Sequence, residues 1–559
     1  MSGVWPGRAV SVVPHAASAK NTGKIMAKTA PRGRIVLRRT VHAGRKNIGK
    51  PQFEEQAAIW RRITPRRLLK PYNQRRFARQ GMGWTSSGPR LQPLHRSYIM
   101  ASENSVSRER TPVNDLSSRG QPSLSLTEEL IRLIRAKPVT DADLEAAALF
   151  TLDAVANSLA GRNSAPGRIL ISWAEAGAGK NAIPDADRTA FLLGALCHIL
   201  ETDDLHRESV VHPGCVVVPA AWALASRHAK GGRELLTAVL HGFEAATRVG
   251  MAVGPAHYRI WHNTATCGPF GSAMASAFLL GLDDGAAMNA LGNAGSQSSG
   301  LWQFLETGAM TKHLHAGHAA EAGVKAAELA ALGFTGPARI LEGEKGFFRA
   351  ACPDASPAAV LHDPSAPWQL LRTSIKPWPS CRHTHPTIDA GEELRLRLTE
   401  DGVSAEEIEA IEVETYQAAL DVCDRPAAAS DYEAKFSLQH SIAAALLHSI
   451  VDFNAFGEAA RARCVTLASR VKLRLAEPWA SAYPLSWGGR VTIRLGNGRE
   501  YVAEREHARG DPEAPLSRDQ MIAKALMLMR HGGTENPERL VEGLLSMSSG
   551  GMLPALDIG

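Results

Sequence analysis

The sequence predicts a mainly α-helical protein, an all-helical domain interrupted by a smaller α+β domain. Three observations carry this. Between about residues 123 and 345, Ala/Leu-rich stretches at helical spacing alternate with Gly, Asp and Pro breaks, with hardly any period-2 alternation. After Pro377 the texture changes to short alternating stretches such as "VKLRL" (471–475) and "VTIRL" (491–495). From "SRDQ" (517–520) the pattern turns helical again to the end. The simplest division is a basic arm at 1–122, a first helical part at 123–371, an α+β lid at 372–506 and a helical return at 507–559.

The arm explains the charge. Residues 1–100 hold 21 Lys+Arg against only Glu54 and Glu55, a net of +19, whereas the 559-residue chain is +7. Residues 101–559 therefore carry −12, an acidic globule with a basic tail. That excludes a nucleic-acid reading of the total charge. The arm scatters Pro, Gly and Arg without apolar periodicity and reads as disordered. It reads first as an upstream extension ahead of a true start at Met100, with a mitochondrial transit segment, which its Arg-rich, acid-poor composition fits, or a functional tail as the other readings. No run of about twenty apolar residues occurs, so a soluble protein without a membrane span is expected. Seven dispersed cysteines without a CxxC fit a reducing compartment. The cytoplasm is expected, or the mitochondrial matrix if the arm is a transit segment.

Order begins at "SLTE" (125–128), a capping box, followed by a second at "TDAD" (140–143). Leu144, Ala148, Leu152, Val155 and Leu159 then share a helix face up to Gly161, an expected C-cap. Further helices are expected at 188–200, 217–229, 233–249, 268–281, 284–294 and 316–332. The lid should hold helices at 386–399 and 435–450 and strands at 408–416, 471–475, 491–495 and 500–504. Gly496-Asn497-Gly498 signals a hairpin between the last two.

Four clusters carry chemistry. "HILETDDLHRESVVHPG" (198–214) crowds Glu201, Asp203, Asp204, His206 and His212 after a helix C-terminus, where the dipole disfavours acids. A merely solvated acidic loop is the plainer reading. "YRIWHNTATCGPFGSA" places His262 before a Gly/Thr-rich helix start. "QSSG" and Lys312, flanked by His313, His315 and His318, suit an anion site. "IKPWPSCRHTHPTIDA" sets Lys376, Cys381, Arg382, His383 and His385 in a Pro-rigid segment. Each has a cation or imidazole beside Gly or Pro, which together suggests a polycarboxylate site between domains. Metal binding by His313/His315 or His383/His385 stays open, although no HExxH or paired Cys supports it. So does a Cys381 nucleophile. P-loop, GxSxG and GxGxxG motifs are absent.

The ordered succession "ETDDLHRESVVHPG", "GFEAATRVG", "WHNTATCGPFGSA", "LGNAGSQSSGLWQFLETGAMTKHLHAGHAAEAG", "GFTGPARILEG" and "KPWPSCRHTHPTIDA" resembles the MmgE/PrpD family over about 123–555. The resemblance implies a helical domain with a smaller α+β lid, usually a homodimer, acting on small di- and tricarboxylates without metal or organic cofactor. Asp204 and His212 match the acidic and "HP" positions of the family pocket, with His206 as a further supporting group. His262 matches the proton-transfer imidazole. Lys312 and Lys376 match carboxylate-holding lysines. Glu201 stands where the decarboxylase of the family has an Asp, Cys381 where it has a histidine, and Val422 where it has a tyrosine. These departures point away from cis-aconitate decarboxylation, and Arg382 becomes a candidate carboxylate clamp. The implied activity is a cofactor-independent hydro-lyase dehydrating a 2-methylcitrate-like hydroxy polycarboxylate, as in propionate metabolism. Decarboxylation and epimerisation share its first event. A non-catalytic carboxylate-binding protein, or a metal hydrolase, would be the reading of another class.

Overall fold

The computed structural model describes residues 124–177 and 185–558, all within one compact unit, Pro112–Gly559. The expected disordered arm lies outside the described residues. Capping boxes form at Ser125, Thr140 and Ser517, each with its N3 acid or Gln reaching back. They start the helices Leu126–Ala136, Asp141–Gly161 and Arg518–His531.

The expected helices appear as Ala186–Cys197, Gly214–Arg227, Gly232–Ala252, Asn263–Leu279, Asp284–Gly295 and Thr311–Ala331. Asn263–Leu279 is buried almost throughout, which its run of small residues allows. Gly161 differs from expectation. It is the last helical residue, and Arg162 behind it keeps right-handed backbone. Its lack of a side chain instead admits the carbonyl of Leu196 from the neighbouring helix. The helix Ala165–Gly177 was not anticipated, because Gly and Ser blur its start.

Two main cores result. The first joins Leu152, Phe243 and Phe270 with Leu528, Met529 and Leu544 near the C-terminus. The second joins Ile388 and Leu394 of the helix His385–Glu400 to Ile411, Val413, Val491, Ile493 and Tyr501 of a sheet. That sheet contains β3 (Ile408–Thr415), β4 (Val471–Leu475), β5 (Gly489–Leu495) and β6 (Glu500–Arg505) in the order β4-β3-β5-β6. The β5–β6 hairpin turns at the expected glycines, with Gly498 at φ +85°. β3 and β4 are parallel. Such a pairing needs a crossover, here including the helices Leu438–Leu447 and Glu458–Ala468. The second of these was not anticipated.

A short ladder matters more for the site. β1 (Leu205–His206) pairs antiparallel with β2 (Thr373–Ser374), Leu205 opposite Ser374 and His206 opposite Thr373. It ties the acidic stretch to the segment that runs into Lys376. Among the described residues no helix is long and apolar enough to cross a membrane.

One tight helix contact yields a prediction. A Cβ on Gly323 would overlap the Ser272 hydroxyl and the Ala273 amide nitrogen of the adjoining helix. That hydroxyl donates to the Ala319 carbonyl at 2.6 Å. Gly323→Ala should therefore cost about 1–3 kcal/mol and lower the melting temperature by a few degrees. An unchanged thermal transition would contradict this packing.

Candidate active site

The helix Ala186–Cys197 ends just before His198, and the chain turns through the acidic stretch. Glu201 takes φ +61°, a left-handed conformation that costs a non-glycine residue energy. The turn aims its buried carboxylate between two lysines. Lys312 forms an ion pair with Oε1, and Lys376 Nζ lies 3.5 Å from Oε2 and 3.3 Å from the Glu201 carbonyl. Burial would raise the Glu201 pKa, but Lys312 and Lys376 outweigh it and hold the carboxyl far below its usual range. Burial likewise works against charge on Lys312, and Glu201 more than restores it.

Beside this triad stand three imidazoles. His198 Nδ1 donates to Asp203 Oδ2 at 2.6 Å, and His212 Nδ1 is 3.2 Å from the same oxygen. The His198 ring is stacked on His262 at 5.5 Å between centroids and meets His212 edge-on at 4.8 Å. His262 Nδ1 lies 3.3 Å from His315 Nδ1, which leaves its Nε2 as the unengaged ring nitrogen. Burial, then His198 and Lys312, push the His262 pKa well below the ordinary value, so the ring is neutral at pH 7. Burial also opposes ionisation of Asp203, yet His198 and His212 keep its carboxyl well below the usual range.

Glu201, His212, His262, Lys312, Lys376, Cys381 and Arg382 all line one cavity of about 330 Å³. The structure thus brings together seven of the nine expected site residues. Arg382 is ion-paired with Asp511. Its guanidinium nitrogens are buried and have no further well-aligned acceptor among the described residues. Cys381 is the most accessible cysteine; a hydrogen bond from Cys423 lowers its pKa.

Asp204 and His206 do not line the cavity. Both Asp204 oxygens accept the Gly214 N–H, at 3.0 and 3.1 Å, at the start of the helix Gly214–Arg227. The acid placed awkwardly after one helix serves the positive end of the next. His206 bonds Ser209 Oγ at 2.9 Å and Gln369 Oε1 at 3.1 Å, pinning the β1–β2 ladder. Their expected acid/base roles therefore have no route to a ligand; both hold the backbone that carries Glu201 and Asp203. His198 and Asp203 were not chosen from the sequence. His198 ends an apolar run and looks structural, and only the fold shows its partner. His383, also at the cavity, is fixed by the Tyr416 hydroxyl at 2.7 Å and stacked on Trp487.

His198, Asp203 and His212 offer three ligand atoms close together. Asp203 is already hydrogen-bonded to His198 and in charge contact with His212. The expected His313/His315 pair is divided: His315 meets His262, while His313 does not line the cavity.

Burial lowers His198 to about 4 and His206 to about 3. The folded state refuses a proton that the unfolded chain accepts near 6.5. Stability should be complete above about pH 6.5 and fall toward pH 4, by roughly 1.4 kcal/mol per pH unit per histidine. Thermal melts between pH 7.5 and 4.5 test this; a flat profile would contradict neutral burial.

Known proteins resemble this chain in sequence. The MmgE/PrpD N-terminal domain matches residues 129–359 and the MmgE/PrpD C-terminal domain residues 378–545. The cis-aconitate decarboxylase-like protein oryM of Aspergillus oryzae is 30% identical over 222 residues, covering 37% of this chain and 46% of that protein. The human cis-aconitate decarboxylase is 27% identical over 347 residues, covering 60% of this chain and 71% of its own. The cis-aconitate decarboxylase of Aspergillus terreus is 29% identical over 220 residues, 37% and 45% respectively. The match thus spans less than half the length of these two fungal relatives. With both of its domains found in order along most of the described chain, the protein belongs to the MmgE/PrpD family.

Proposed function

We propose that the chain is a lyase that removes a proton next to a carboxylate and expels water from a 2-methylcitrate-like hydroxy polycarboxylate. The observation that carries this reading is the placement of neutral His262 and the Lys312–Glu201–Lys376 triad on one small cavity. The proton on carbon leaves to His262, whose depressed pKa keeps it in the basic form. Negative charge then develops on the adjoining carboxylate. Lys312 and Lys376, fixed at the cavity, offset it without reorganising. His212 is suited to hand a proton to the departing hydroxyl. Burial lowers its pKa, and Asp203 at 3.2 Å partly offsets that.

A second reading is decarboxylation of a cis-aconitate-type acid, favoured by the names of the relatives. It needs the same cations, but the proton moves onto carbon after CO₂ leaves. Cys381 and Val422 stand at the cavity where the resemblance puts the decarboxylase's histidine and tyrosine, which favours dehydration here.

Incubating the protein with 2-methylcitrate, citrate and cis-aconitate, read by proton NMR, separates the two by product. Ligand-induced stabilisation without any turnover would leave a carboxylate-binding protein instead. Within an active protein, His262→Asn should reduce kcat by at least about 100-fold while the thermal transition is kept. Retained turnover would remove His262 from the mechanism. Lys312→Met keeps the stem but not the charge. It should raise KM about 10- to 100-fold, in line with the loss of a charged hydrogen bond; an unchanged KM would refute the clamp.

A further inference from the structure

Four lysines and arginines line the cavity: Arg259, Lys312, Lys376 and Arg382. Three are already paired. Lys312 and Lys376 share Glu201, and Arg382 is held by Asp511. Arg259 is the exception. It is exposed, and its guanidinium has no hydrogen bond or ion pair among the described residues. A guanidinium offers five donors in a fixed fork that matches a carboxylate. The cavity thus keeps one uncompensated cation. It stands at the mouth, whereas Lys312, Lys376 and His262 are buried on the floor.

Two hydroxyls give a second, independent observation. Tyr258, the residue before Arg259, and Tyr432, from the lid, both line the cavity and are each 39% exposed. Neither hydroxyl has a hydrogen-bond partner among the described residues. Their rings are fixed nonetheless. Tyr258 meets Trp302 edge-on at 5.4 Å between centroids, and Tyr432 packs on Phe436 at 5.0 Å. Desolvation, then Glu201, push the Tyr432 phenol up to about 12, and desolvation also raises Tyr258. Both phenols therefore stay protonated and can donate. The backbone behind Arg259 is tethered too. Trp302 N–H donates to the Ile260 carbonyl at 3.0 Å, and His262 N–H to the Gly300 carbonyl at 2.9 Å. One short strap thus carries both the free cation and the His262 imidazole.

We propose that Arg259, with the Tyr258 and Tyr432 hydroxyls, forms an entrance subsite for one carboxylate of the substrate, remote from the carbon that loses its proton. The other carboxylates go to Lys312 and Lys376. This rests on the polycarboxylate reading above and adds the residues that select a tricarboxylate over a dicarboxylate. Glu201 leaves the lysine pair only one net positive charge, so the floor alone is a poor match for a third carboxylate. The mouth supplies the missing cation and two neutral donors.

The test uses the full chain and two unreactive probes. Tricarballylate carries three carboxylates and no hydroxyl to expel, and glutarate is the same chain without the central carboxylate. Calorimetry should show the wild type binding tricarballylate at least about tenfold more tightly than glutarate. Arg259→Met should weaken tricarballylate about 10- to 100-fold, as for lost hydrogen bonds to a charged group, and glutarate less than about threefold. Tyr258→Phe and Tyr432→Phe keep the rings; each should weaken tricarballylate about 2- to 10-fold with the thermal transition unmoved. Equal weakening of both probes, or of neither, overturns the subsite. Proton NMR of the wild type with citrate and 2-methylcitrate keeps the two readings apart. Absent turnover with the probe pattern intact overturns the lyase reading and keeps the subsite. Turnover without the pattern overturns the subsite and keeps the lyase. Loss of both overturns both.

Discussion

A single buried carboxylate between two lysines organises this molecule. Glu201, Lys312 and Lys376 come from a turn, a helix and a Pro-rich segment far apart in the chain, yet their charged ends converge in the interior. Removing three charges from water is costly, and their mutual attraction repays it only when the geometry is good. The protein therefore fixes that geometry from several sides. The β1–β2 ladder draws Glu201 toward Lys376. Asp204 anchors the return of the chain on the Gly214 amide. Asp511 accepts Ser374 Oγ at 2.6 Å and pairs with Arg207 and Arg382, tying the segment after β6 to both sides of the ladder. Deleting either lysine would leave a buried carboxylate short of compensation, the costly half of a broken ion pair.

The imidazoles depend on the same arrangement. Their neutrality is not intrinsic. It follows from burial, reinforced by Lys312, whose positive charge Glu201 preserves. A neutral His262 beside a persistent ammonium is the combination that carbon acid chemistry requires: a base able to take a proton, and a cation fixed where the electrons go. Lys435 shows the contrast. It is half-buried with its Nζ on the Leu200 carbonyl at 3.0 Å, and desolvation lowers it to about 8. The lysine paired with Glu201 keeps its charge; this one, held by a carbonyl, partly gives it up.

Much of the fold was legible because helical spacing and capping boxes are local. Ser125, Thr140 and Ser517 announce helices with side chains three residues away. Gly161 was misread for the complementary reason: the chain needs a glycine there for a neighbouring helix, not for its own end. The site divides in the same manner. His262, Lys312 and Lys376 stand beside Gly or Pro and could be picked from the sequence. Glu201 could be chosen from its acidic stretch, but not told apart from Asp204 in function. That distinction lies in one turn, which sends Glu201 to the lysines and Asp204 to a helix amide. His198 and Asp203 were illegible because the bond between them is a tertiary fact.

The division of the cavity into a charged floor and an apolar wall bears on how one scaffold supports related reactions. Dehydration and decarboxylation both pass through negative charge next to a carboxylate, so both can use the same lysines and the same neutral imidazole. What distinguishes them is which bond the cavity aligns with the developing charge, and that is decided by the wall that orients the rest of the substrate. In this chain the wall carries Val422 and Cys381, and Val210 packs against the same apolar cluster as Cys381. On the proposed reading, orientation is then set by shape and by exclusion of water, while proton traffic is left to His262 and His212. On that reading, such a cavity chooses its reaction by how the acid lies rather than by adding a further catalytic group.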